Sequence, residues 1–191
     1  MNSFQLSDRF QQAFDFAMEL HAGQTRKQSE VPYIAHLLGV AALVLEDGGD
    51  EDQAIAALLH DGPEDQGGQE TLDEIKAQFG PRVAQIVEDC SDTFETPKPD
   101  WRTRKEDHLA RVKDFGPETC RVMLADKLYN ARSLVNDLLR EGEAAWEKFK
   151  GKKEGTLWYY RQMHARLSEK LPGGLADQLG RTIAEIEGLS G

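Results

Sequence analysis

The chain is poor in the features that stabilise or localise a protein by special means. Of its 191 residues only two are cysteine, and Cys90 and Cys120 fit neither a redox pair nor a zinc knuckle. Both lie in apolar helical patterns and read as reduced core residues. No apolar run approaches the roughly twenty residues of a membrane-spanning helix. The opening Met1-Asn2-Ser3-Phe4-Gln5 lacks the basic and apolar regions of a secretion signal. Positive charge is scarce, since 23 Lys and Arg face 34 Asp and Glu for a formal charge of −11. That balance argues against nonspecific binding to nucleic acid or anionic lipid. The expectation is a cytoplasmic protein with no nucleic-acid or membrane partner, and no obligatory protein partner is implied. Strand signals are missing as well: no segment alternates with β-branched enrichment, and there are no repeats or low-complexity tracts.

What the chain has is helical periodicity. Its length suits one domain whose core needs no disulfide or structural zinc. The expected fold class is all-α, a compact bundle of about nine or ten helices forming a single domain over 1–191, with 140–191 a C-terminal helical extension packed on it. Ser7 caps a first helix to about His21, and a polar loop with Gly23, Arg26 and Lys27 follows. A second helix carries Ile34, Leu37, Val40, Ala41 and Val44. His36 stands four residues before Val40, so its imidazole shares the buried face. Gly48-Gly49 closes that helix, and Asp50 with Gln53 opens a third in the manner of a capping box. Thr71 to Glu74 is a second capping-box signature, and Gly80-Pro81 separates two further helices.

Thr93 to Trp101, with Pro97 and Pro99, reads as a surface loop and a candidate cover for a site. The basic run Arg102 to Lys113 reads as a solvated helix face. Glu118 to Leu139 is the longest periodic segment, and Asp126 falls on one stripe with Val122 and Asn130. A carboxylate among Val122, Met123, Leu124 and Leu128 calls for a cation. Read alone, it would be a buried acid paired with an arginine such as Arg132. A polar helix through Trp146 and Phe149, a helix with Leu157, Tyr160, His164 and Leu167, and a final amphipathic helix complete the chain.

The densest chemistry is His60-Asp61-Gly62-Pro63-Glu64-Asp65, four titratable side chains in six residues after the apolar Ala54 to Leu59. Gly62-Pro63 stops the helix there and frees Glu64 and Asp65 to turn toward the site. The dipeptide alone is weak evidence. Four inward-directed candidates nevertheless arise on three helices: His36, His60, Asp61 and Asp126. Two imidazoles and two carboxylates suit one octahedral divalent ion with two open positions, with manganese or iron(II) favoured over magnesium and zinc. Periodicity carries the inward direction of each side chain, and their convergence is an expectation for the fold. His21 reads as a structural or loop-anchoring histidine, and His108 and His164 as facing solvent or packing at an edge.

These residues stand in the order and contexts of the HD-domain phosphohydrolases. More narrowly, the chain resembles the hydrolase domain of the RelA/SpoT family and its stand-alone small alarmone hydrolases, of the metazoan SpoT homologue kind. The matching segments are His21-Ala22-Gly23-Gln24-Thr25-Arg26-Lys27, Pro32 to His36, Ala56 to Asp61 with Glu64-Asp65, Phe79-Gly80, and Ala125 to Asn130. The resemblance implies that His36, His60, Asp61 and Asp126 bind Mn2+ and that Glu64 and Asp65 position or deprotonate the attacking water. It implies further that Arg26 and Lys27 face the nucleotide, with Tyr33, Lys127 and Asn130 nearby. The implied reaction removes pyrophosphate from the 3′ position of guanosine tetra- or pentaphosphate, leaving GDP or GTP. Two features depart from the family pattern: Leu37 stands where proline is common, and Gly62-Pro63 replace two apolar residues. The same metal set also suits adenosine alarmones, a deoxynucleoside monophosphate or NADPH. A noncatalytic alarmone sensor is a reading of another class.

Overall fold

Backbone hydrogen bonding follows the helical periodicity through most of the described residues. The computed structural model describes residues 5–95 and 97–190, and among these it contains ten α-helices, two 3-10 helices and no strand. One antiparallel bridge joins Thr25 to Pro32. The chain divides into two compact units, Met1–Phe94 and Glu95–Gly191.

The first unit holds α1 (Asp8–Leu20), α2 (Ile34–Glu46), α3 (Glu51–Leu59), α4 (Gly62–Asp65), α5 (Gln69–Phe79) and α6 (Pro81–Cys90). Its centre is α3, which packs against α1, α2, α5 and α6. Every residue from Gln53 to Leu59 is buried, so beyond its acidic first turn this helix is buried all round rather than striped. Burial of a leucine such as Leu58 or Leu59 contributes about 1.5–3 kcal/mol. The Asp50 carboxylate accepts from Gln53 N at 3.1 Å and caps α3, while Ser7 Oγ accepts from Arg9 N at 3.2 Å and caps α1. His36, Val40 and Val44 are all buried, as their spacing requires.

Two expected boundaries are corrected here. The helix with Leu72, Ile75 and Phe79 begins at Gln69 rather than at a Thr71 cap, and the Thr71 hydroxyl instead donates to Gln66 O. Gly62-Pro63 does more than stop a helix. Pro63 occupies the first turn of α4, where its missing N–H costs nothing, and Asp65 N donates to Asp61 O at 3.0 Å. Glu64 and Asp65 therefore leave from a formed helical turn rather than from a loop.

The second unit holds α7 (Trp101–Arg111), a 3-10 helix (Val112–Asp114), α8 (Pro117–Glu141), a second 3-10 helix (Gly142–Lys148), α9 (Lys152–Lys170) and α10 (Gly174–Leu189). α8 is its axis and packs against α9, α10 and the second 3-10 helix. The segment with Trp146, expected as a polar helix through Phe149, is that 3-10 helix and ends at Lys148 with Phe149 as its cap. The solvated reading of the basic helix holds for Arg102, half exposed, but not for Arg104, which is buried with Nε donating to Pro99 O at 3.2 Å. His108, expected at solvent or an edge, is 1% exposed, 3.3 Å from Tyr159 Oη and edge-on to Phe115. Its place on a helix rich in charge hid the one face turned to the core. Cys120 is buried as expected, whereas Cys90 is only partly so.

Candidate metal centre

Three side chains from α2 and the end of α3 meet at one oxygen. His36 sits in the first turn of α2, and its Nε2 is 3.3 Å from Asp61 Oδ2. His60 follows the last residue of α3, and its Nε2 is 3.1 Å from the same oxygen. The rings lie 5.3 Å apart edge to face, with ligand atoms within 4.8 Å of one another. Tyr33 Oη donates to Asp61 Oδ2 at 2.6 Å.

His60 Nδ1 lies 2.9 Å from Ala57 O, one of the carbonyls that the end of α3 leaves without an intrahelical donor. A carbonyl can only accept, so that nitrogen carries the proton. In the neutral ring Nε2 is then a lone pair directed at a carboxylate, an arrangement that needs a proton or a cation to be stable. Two imidazole nitrogens and a carboxylate oxygen form a donor set of the kind that holds a divalent transition metal. Burial pushes the Asp61 carboxyl up, but the imidazoles of His60 and His36 together outweigh it and hold the group well below the usual carboxylate range.

Beyond Asp61 the turn of α4 sends its two acids in different directions. Glu64 Oε2 accepts from Asp92 N at 3.1 Å. Asp65 lies one turn after Asp61 on the same face, and its Oδ2 accepts from Gln24 Nε2 at 2.9 Å. Arg26 stands with its guanidinium 5.9 Å from the Tyr33 ring, and Lys27 is exposed on the same loop. A cleft of about 250 Å3 opens here, lined by Met18, His21, Gly23, Gln24, Tyr33 and Ile34.

The second unit supplies its own buried carboxylate. Asp126, 7% exposed on α8, accepts from Lys127 Nζ at 2.6 Å through Oδ2 and from Asn130 Nδ2 at 2.5 Å through Oδ1. Arg132 reaches Gln178 at 2.8 Å, so the pairing considered for it in the sequence is made by Lys127. His36, His60 and Asp126 are each buried and each offers a metal-ligand atom.

A family model described as HD domain matches residues 13–157. The chain belongs to the HD-domain family. Among curated members, the mouse and human proteins named guanosine-3′,5′-bis(diphosphate) 3′-pyrophosphohydrolase MESH1 are each 40% identical over 126 residues, covering 64% of this chain and 68% of theirs. A guanosine-3′,5′-bis(diphosphate) 3′-pyrophosphohydrolase of Aquifex aeolicus is 38% identical over 130 residues, only 18% of its own length. In fold, this HD-domain chain superposes on a metazoan orthologue of SpoT, reported to hydrolyse ppGpp, with a TM-score of 0.80 over 97% of this chain and 98% of that one at 24% identity. A Listeria monocytogenes structure matches with a TM-score of 0.66 at 29% identity, over 78% of this chain and 96% of that one.

Beside the residues of this site lie His21, four residues after the buried Ala17 of α1, and Gln24, which periodicity does not single out. His21 is 5% exposed, its Nδ1 is 2.7 Å from Gln24 Oε1, and its ring stacks on Tyr33 with centroids 4.9 Å apart. The loop-anchoring role read for His21 agrees with these contacts. Gln24 lies in the segment that carried the resemblance but in a polar loop without period. Its signal was the run His21 to Lys27 as a whole.

Proposed function

We propose that this chain is a metal-dependent hydrolase that removes the 3′-pyrophosphate from guanosine tetra- and pentaphosphate, giving GDP or GTP. The observation that carries this reading is the meeting of two imidazole Nε2 atoms and a phenol on Asp61 Oδ2, with His60 turned by Ala57 O so that Nε2 faces the carboxylate. The MESH1 relatives, similar over two thirds of their length, support the substrate class. The family match runs across the boundary between the two units, which supports one working hydrolase domain over 1–191.

In this reading His36, His60, Asp61 and Asp126 hold one divalent ion, Mn2+ by the preference of a mixed nitrogen and oxygen set. When bound, the ion would supply Lewis-acid charge to a phosphoryl oxygen and lower the pKa of water at the site toward neutrality. Asp65, one helical turn beyond Asp61 on the same face, accepts the proton of the attacking water. The water oxygen bonds to the phosphorus on the ribose 3′ oxygen. The P–O bond to that oxygen breaks, pyrophosphate departs with the new oxygen, and the 3′ oxygen takes a proton. Glu64, anchored by Asp92 N, orients the water from the neighbouring direction. Arg26 and Lys27 meet the polyphosphate, with the Tyr33 ring, Lys127 and Asn130 near the nucleotide. These cations supply locally the positive field that a chain of net charge −11 lacks globally.

Mn2+-loaded protein incubated with guanosine 3′,5′-bis(diphosphate) should release GDP and pyrophosphate, resolved by ion-exchange chromatography. Parallel reactions with the adenosine analogue, a deoxynucleoside monophosphate and NADPH test the substrate class. Orthophosphate as the product, or no release from any of the four, would sink the proposal.

A further inference from the structure

We propose that Gln24 is a positioning residue for the hydrolytic step, its side-chain amide fixing the direction of Asp65 while the loop that bears it braces Asp61. The inference rests on the function proposed above and deepens it.

The orientation of the amide is set by its neighbours. Gln24 Oε1 lies 2.7 Å from His21 Nδ1 and accepts from Gln66 Nε2 at 3.0 Å, which uses both lone pairs of that oxygen. Gln24 Nε2 is left to donate to Asp65 Oδ2 at 2.9 Å. With the amide reversed, its NH2 would meet the NH2 of Gln66 and its oxygen would meet a carboxylate, two repulsive contacts in place of two bonds. His21 carries its proton on Nδ1 for the same reason. Buried and stacked on Tyr33, that ring gives the amide a fixed support.

The contacts close into a ring. Tyr33 N donates to Gln24 O at 2.9 Å, Tyr33 Oη donates to Asp61 Oδ2 at 2.6 Å, Asp65 N donates to Asp61 O at 3.0 Å, and Gln24 Nε2 returns to Asp65. The Thr25 to Pro32 bridge and the bond from Arg26 N to Val31 O at 2.8 Å stiffen the loop between Gln24 and Tyr33. Two residues of one loop thus grip two acids of one helical turn, at its start and at its end. Asp65 is exposed on the last residue of a four-residue helix, and the Gln24 amide bonds one of its two oxygens, Oδ2. A displacement of about 1 Å at such a group lowers a rate by as much as 10²-fold.

The test compares Gln24→Leu, which keeps the volume but removes the donor, with Gln24→Glu, which puts an acceptor against Asp65. The substrate is guanosine 3′,5′-bis(diphosphate), and the background is either wild type or Asp65→Asn. Both single variants should bind one Mn2+ per chain as wild type does and melt within a few degrees of it. Each should show kcat reduced roughly tenfold to a hundredfold with KM changed less than about twofold. Because Gln24 acts through Asp65, adding Gln24→Leu to Asp65→Asn should lower kcat no further. The inference is overturned by kcat within about twofold of wild type in both variants, by a change confined to KM, or by losses that simply multiply in the double variant. Wild-type protein that releases no pyrophosphate would count against the proposed function itself. A failure of Gln24 alone would appear as an active wild type with indifferent variants.

Discussion

Replacing Tyr33 with phenylalanine separates two roles that one side chain could play. The substitution removes a single oxygen, the one that donates to Asp61 Oδ2 at 2.6 Å, and keeps the ring that stacks on His21 at 4.9 Å. A hydrogen bond to a charged acceptor is worth about 1.5–3 kcal/mol. At about 1.4 kcal/mol per decade that corresponds to between one and two powers of ten in metal affinity, the range found when a supporting donor is removed from a metal ligand. Asp61 keeps both imidazoles in the variant, so the loss should stop there rather than abolish binding. Titration of metal-free protein with Mn2+ in a calorimeter should show a Kd raised roughly tenfold to a hundredfold, at unchanged stoichiometry. If Tyr33 Oη served the nucleotide alone, Mn2+ affinity would stay within about twofold of wild type and only KM for the alarmone would rise. That result would refute the claim that the phenol supports the metal ligand.

His60→Gln should abolish stoichiometric Mn2+ uptake, measured by elemental analysis, and with it the thermal stabilisation that saturating metal gives wild type, about 2.7 kcal/mol at a hundredfold excess over Kd. Retained metal would contradict the assignment of His60. Partial burial pushes the Asp50 carboxyl up, while Arg82 and the Gln53 N–H outweigh it and hold the group below its ordinary value of about 3.8. Its stabilisation is therefore present above that value and lost as pH falls through the lower folded value. Asp50→Asn keeps a capping acceptor but loses the charge facing Arg82, so its melting temperature should trail wild type at pH 7 and converge with it only as pH falls through the lowered folded value; a gap independent of pH would exclude the ion pair as its source. Gly62→Ala places a Cβ 3.2 Å from Leu20 Cδ1, the end of a partly exposed side chain free to shift, against a gain in helix propensity of up to about 1 kcal/mol. Denaturant unfolding should find it neutral to mildly stabilising, and a loss above about 1 kcal/mol would show that Leu20 cannot move.

Much of this arrangement was legible because helices write their burial into spacing. His36 shares a period with Val40 and Val44, and all three are buried. Asp126 shares a stripe with Val122 and Asn130, and the amide of Asn130 does reach it. What spacing cannot carry is the direction of a side chain relative to a neighbour on another segment. His108 was misread for that reason: its own helix is charged, and only its packing with Tyr159 of α9 and with Phe115 places it inside. Gln24 was illegible for the opposite reason. A loop has no period, and the partners that give this amide its orientation lie three residues away at His21 and some forty residues on at Asp65 and Gln66. Gly62-Pro63 shows a third limit, since the pair that reads as a helix stop is also a good helix start when the following turn has somewhere to pack.

The donors around Asp61 and Asp65 divide the work between two identical side chains one turn apart. Asp61 Oδ2 faces two imidazoles and a phenol, groups that favour the ionised form of a carboxylate. Asp65 receives from Gln24 a neutral amide, which fixes direction without adding positive charge. Placing a cation at the second position would bind the carboxylate more tightly and leave it less disposed to take a proton from water. The turn of α4 keeps both positions on one face, and the loop from His21 to Tyr33 delivers the phenol to one and the amide to the other. In the proposed reading, a single loop folded back on itself thus holds one aspartate for the metal and the next, four residues on, for the attacking water.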